Sequence, residues 1–72
     1  QDADLYISAV GADDRIVHRL PPDRHAWIQV VSGEVVLNGH SLLEGDGAGV
    51  RDEDELEIRS AKGGEILLFD LA

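Results

Sequence analysis

The sequence predicts a small all-β domain, a barrel or sandwich of about eight short antiparallel strands. Three observations carry that prediction. The apolar runs are too short for a helix that could bury a core, several of them alternate with a period of two, and turn-forming residues separate them at a spacing of roughly 8 to 12 residues.

Leu5 to Val10 is the first apolar run, ended by Gly11-Ala12-Asp13-Asp14. Ile16, His18 and Leu20 then alternate with Val17 and Arg19, and Pro21-Pro22 stops this strand because proline has no N–H for the ladder. Ala26, Ile28 and Val30 share one face, Trp27, Gln29 and Val31 the other, and Ser32-Gly33 reads as a turn. Val35 and Leu37 resume the alternation up to Asn38-Gly39, the strongest hairpin signal present, since both residues tolerate the positive φ of a type I′ turn. Leu42-Leu43 leads into the turn Glu44-Gly45-Asp46-Gly47, and the glycine-rich segment around Ala48 to Val50 suggests a short strand with a bulge or barrel corner. Leu56 and Ile58 alternate with Glu55, Glu57 and Arg59. After Lys62-Gly63-Gly64 the nearly continuous apolar strand Glu65 to Leu71 belongs in the middle of a sheet or at an interface.

With 72 residues the chain can form one core, so residues 1–72 are read as a single domain. A domain of this size buries only about 60% of the surface its unfolded chain exposes. There is no cysteine, hence no disulfide and no thiolate metal site, and part of the stability is expected from a second domain or subunit. Fifteen acidic against six basic residues give a formal charge of -9, which repels phosphate backbones and anionic membranes. Nucleic acid and membrane are therefore excluded as expected partners. The longest wholly apolar run, Ile66 to Phe69, falls far below the roughly 18 residues of a membrane helix. No basic and apolar leader opens the chain, and a cytoplasmic location is expected. The chain holds no methionine and starts on Gln1, from which a piece of a longer protein is expected.

Three stretches carry a family resemblance. They are Asp2-Ala3-Asp4-Leu5-Tyr6-Ile7-Ser8; Arg24-His25-Ala26-Trp27-Ile28-Gln29-Val30-Val31-Ser32-Gly33 with Leu37-Asn38-Gly39; and Leu43-Glu44-Gly45-Asp46-Gly47-Ala48 with Leu67-Leu68-Phe69-Asp70-Leu71. Together they resemble the C-terminal cupin domain of the pirin family, in particular the bacterial pirin-like proteins described as quercetin 2,3-dioxygenases. The resemblance implies a jelly-roll cupin barrel, the degenerate half of a two-cupin protein. It also implies that the divalent metal and the oxygenation of flavonols such as quercetin belong to the N-terminal cupin, leaving this half without cofactor or catalytic residues.

A cupin metal needs neutral imidazoles and one carboxylate on inward positions, a set that suits divalent iron, copper, nickel or zinc. Aligned on Gly33, the family's His-x-His falls near Leu20 and Pro22 and its Glu near Ala26; aligned on Gly45, its last His falls on Leu56. All four are apolar. If the barrel kept a metal, the candidates would be His18 and His25 with Glu34, although each histidine, His40 included, reads more simply as a surface or hydrogen-bonded residue.

Asp52-Glu53-Asp54-Glu55 offers carboxylates for calcium or acid–base work but reads as a solvated loop. The serines include no Gly-x-Ser-x-Gly, and Gly45-Asp46-Gly47-Ala48-Gly49 precedes no helix, which removes the nucleophile and phosphate-cradle readings. Trp27 stands opposite Ala26, Ile28 and Val30 in the alternation and is expected outward, as an interface anchor with Phe69. Arg24 beside it is expected to meet an acidic partner surface. Two partners are expected, the N-terminal cupin of the same protein or a second copy of this chain. The alternatives are a free-standing mini-cupin with its own small ligand or metal, and a structural homo-oligomer.

Overall fold

The computed structural model describes residues 3–72. Gln1 and Asp2, of which Asp2 opens the first stretch of family resemblance, lie outside the described residues. The elements are β1 (Ala3–Val10), β2 (Arg15–Arg19), β3 (His25–Leu37), β4 (His40–Leu43), β5 (Gly47–Val50), β6 (Glu55–Arg59) and β7 (Gly64–Leu71). There is no helix among the described residues.

Every pairing is antiparallel, and β3 belongs to both halves of a curled, half-open barrel. Its first part lies between β7 and β5, with β1 beyond β7; its second part pairs β4 and β6, with β2 beyond β6. β7 thus sits between β1 and β3, as its unbroken apolar character predicts. The two ends of the strand order, β1 and β2, are not paired with each other, and the barrel stays open between them.

Seven strands replace the expected eight because Ser32-Gly33 is not a turn. The chain runs through it as one long strand, with a register shift between Val30 and Ser32 that carries β3 from one sheet into the other. Gly33 is the hinge of this bend. Its φ is 72°, and a Cβ there would collide with the Gly63 carbonyl and lie 2.8 Å from Gly64 Cα. Gly-Gly at 63–64 therefore answers Gly33 across the sheet, where two backbones need room. A one-dimensional reading cannot distinguish such a bulge from a turn, since both call for the same residue.

Elsewhere period and turn chemistry agree with the fold. Asn38 and Gly39 have φ of 46° and 84° and close the β3–β4 hairpin with Leu37 opposite His40. Asn38 also ties that hairpin to β6, its Oδ1 accepting from Glu57 N–H and its Nδ2 donating to the Glu55 carbonyl. The core is formed by the inward alternates Val10, Leu20, Ala26, Ile28, Val30, Val35, Leu37, Leu56, Ile58, Ile66 and Leu68. Burying these apolar side chains is the main favourable term for a domain without disulfides.

Candidate functional site

The inward alternates of β7 are Ile66, Leu68 and Asp70, so the period that buries two apolar residues also drives a carboxylate into the interior. Asp70 is only 5% exposed. A buried carboxylate is costly unless paired, and here both oxygens are used. Arg24, in the loop before β3, donates from Nε to Oδ1 at 2.5 Å and from a terminal nitrogen to the Asp70 carbonyl at 3.1 Å. His18, on β2 of the other sheet, meets Oδ2 through Nε2 at 2.8 Å. The pair bridges the two sheets at one end of the barrel.

Burial by itself pushes the Asp70 carboxyl up, but the hydrogen bonds from Arg24 and then His18, with the Arg24 charge, together outweigh it and hold Asp70 below the ordinary carboxylate range. Because Asp70 is ionised and can only accept, Nε2 of His18 is the donor in this contact, and in the neutral imidazole that leaves Nδ1 as an acceptor. Tyr6 of β1 stands edge-on to the imidazole, with ring centroids 5.1 Å apart. Arg24 also lies 3.8 Å from Asp4 Oδ2.

These contacts place the residues singled out in the sequence. Arg24, expected to face a partner's acid, is turned into its own chain. His18 is a hydrogen-bond partner of Asp70. His25 opens β3 opposite Leu71, half-buried at a mouth of about 480 Å³ between loop 21–24 and the exposed acidic loop 51–54. Glu34 lies in the second half of β3, where its carbonyl accepts from the Ser60 hydroxyl at 2.5 Å. Among the described residues no three His, Asp or Glu side chains gather as a metal would require, so His18, His25 and Glu34 do not form one site. Of the positions where a cupin would place ligands, Leu20, Ala26 and Leu56 are buried core residues and Pro22 is exposed on a loop. The residues present do not fit the metal that the fold family implies.

Asp70 is the residue that strand reading missed. The signal was present as an acid at position i+4 of an inward series that begins Ile66, Leu68.

The outer face of the β1–β7–β3 sheet is apolar. Leu5, Phe69 and Trp27 form one cross-strand row, and Ile7 and Leu67 begin the next. Leu5, Ile7 and Trp27 are 53%, 76% and 43% exposed, while Phe69 is half-buried. Trp27 lies outward, as the alternation predicts, over Gly47 and Gly49 of β5. The spaced glycines that suggested a bulge instead leave room for an indole; a Cβ on Gly47 would strike the Trp27 ring.

Fold and site together define a cupin-type antiparallel half-barrel whose interior is filled with side chains and one neutralised carboxylate. Residues 1–71 match the quercetinase C-terminal cupin domain, and the chain belongs to that family, the C-terminal cupins of pirin-like proteins. It is 41% identical over 71 residues to a quercetin 2,3-dioxygenase of Escherichia coli K12, a match spanning 99% of this chain and 31% of that protein. The crystal structure of YhhW from E. coli superposes with a TM-score of 0.96 at 40% identity, covering all of this chain and 31% of that one. A second structure of YhhW, described as a bacterial pirin in complex with nickel(II), gives 0.94 at 41% identity, over 99% of this chain and 31% of that one. A cupin protein from Bacteroides fragilis, 15% identical, shares the fold with a TM-score of 0.75 over 99% of this chain and 66% of that one. The chain thus spans about a third of the length of its curated relatives.

Proposed function

We propose that this chain is a non-catalytic accessory domain of a cytoplasmic two-cupin protein, in which it packs against an N-terminal cupin that carries the metal and oxygenates flavonols of the quercetin type. The observation that carries this reading is the interior. Leu20, Ala26 and Leu56, which the resemblance aligns at or near the cupin ligand positions, are part of the packed core, so ligation there would require both new residue types and loss of packing. The proposed docking surface is the outer row of Trp27, Phe69 and Leu5 with Ile7 beside it, a contiguous apolar patch of the kind that marks interaction sites. Relatives of about three times this length support the assignment of chemistry to a separate domain.

The test is elemental analysis of the purified chain after loading with ferrous iron, copper, nickel and zinc in turn. Bound metal well below one equivalent in each case, with no metal-dependent oxygenation of quercetin, is the expected result. One tight equivalent that disappears on His18→Ala or His25→Ala would make this an autonomous metallocupin and overturn the accessory role.

A further inference from the structure

β1 and β2 are edge strands of the two sheets and are not paired with each other, and the gap between them is a cleft of about 230 Å³. Its floor is core: Ile58 and Ile66 are fully buried and Leu68 nearly so. Three polar side chains stand in its wall, Tyr6 and Ser8 from β1 and His18 from β2. Tyr6 and Ser8 pair with Leu68 and Ile66, which places them on the inward face. Neither hydroxyl, nor Nδ1 of His18, has a hydrogen-bond partner among the described residues.

Size restricts what can enter. An apolar cavity of about 150 Å³ accepts benzene, whereas drug-sized ligands occupy about 300 Å³ or more. The cleft suits one substituted ring. Charge restricts it further: the chain carries -9 overall, which disfavours an anion, and Arg24 offsets the carboxylate of Asp70, so that among the described residues lining the cleft no unpaired charge is left to hold a cation there. Asp70 determines the remaining requirement. By accepting from Nε2–H it leaves Nδ1 of the neutral imidazole as an acceptor, which a ligand with a hydrogen-bond donor satisfies. Aromatic hydroxyls are stronger donors than aliphatic ones, and the ring of Tyr6 supplies an aromatic wall.

We propose that the β1–β2 cleft is a binding site for a small neutral phenol, whose ring lies on Ile58, Ile66 and Leu68 and whose hydroxyl donates to Nδ1 of His18. Asp70 acts as the positioning residue for that acceptor.

Because the chain has one tyrosine and one tryptophan, on opposite faces of the sheet, NMR reports the two surfaces separately. The 72-residue chain, with its histidines labelled with nitrogen-15, is titrated with 4-fluorophenol and, in parallel, with 4-fluoroanisole, which has the same ring and no donor. The expected result is saturable, one-site perturbation of the Tyr6 ring and His18 by the phenol, with a pyridine-like Nδ1 signal. The anisole should bind at least about tenfold more weakly, because it leaves the acceptor unpaired. Ile16→Trp narrows the cleft without touching the Asp70–His18 contact, and it should abolish phenol binding while the amide spectrum stays folded. Equal binding of the two ligands, a protonated Nδ1, perturbation centred on Trp27 instead of Tyr6, or undiminished binding by Ile16→Trp would each overturn the proposal.

Discussion

Asp70→Ala removes the acceptor that joins the two sheets, and the structure sets the scale of the loss. Breaking one side of a buried ion pair costs about 3 to 5 kcal/mol. Arg24 and His18 are 18% and 19% exposed, so water recovers part of that, and about 2 to 4 kcal/mol is expected. A domain of this size has a total stability of about 4 to 11 kcal/mol, and each kcal/mol shifts Tm by about 4 to 8 °C. The variant should therefore melt at least about 8 °C below the parent in circular dichroism, and remain folded only if the parent lies well above the lower limit. Asp70→Asn keeps shape and one acceptor, and His18 can turn its other tautomer toward the amide, so its loss should be roughly half as large.

The pH dependence follows from the same contact. Asp70 is held below the ordinary carboxylate value of 3.8, so its contribution is complete above that value and disappears as pH falls through the lower native one. The parent should lose stability below about pH 4 more steeply than Asp70→Asn. Glu57 is also held low, by hydrogen bonds from Arg15 and Arg59; Glu57→Gln, in a pair whose arginines are solvent-exposed, is the control and should leave the acid limb nearly unchanged. If Asp70→Ala unfolds within about 0.5 kcal/mol of the parent, the inter-sheet pair is not a stabilising contact and the reasoning fails.

Gly33→Ala should cost at least about 2 kcal/mol, against about 1 kcal/mol for Gly39→Ala, in urea titrations of the two variants; equal costs would show that the crowding at Gly63 and Gly64 is unimportant. Asn38→Ala loses two hydrogen bonds to β6 and a residue suited to positive φ, and a loss of about 2 kcal/mol is expected by the same assay; no change would show that the hairpin holds to β6 without that side chain. Gly47→Ala should displace the Trp27 indole, seen as a shift in its fluorescence maximum, while stability changes by less than about 1 kcal/mol because the exposed ring can move aside. An unshifted maximum would mean that the indole does not rest on Gly47.

Alternation with a period of two, interrupted by Gly, Asn-Gly, Pro-Pro and acidic turns, was enough to place nearly every strand and most inward residues, because each such signal lies within a few neighbouring positions. The outward position of Trp27 was readable for the same reason. Tertiary structure decided what depends on distant partners. Gly33 is a bend and not a turn because Gly63 and Gly64 lie across from it. Gly47 and Gly49 accommodate an indole that lies 20 and 22 residues upstream of them, as the β3–β5 pairing dictates. Asp70 is paired because Arg24 and His18, 46 and 52 positions away, converge on it from a loop and from the opposite sheet. Burial of a charge is settled by what else reaches the same point, and local periodicity carries no record of that.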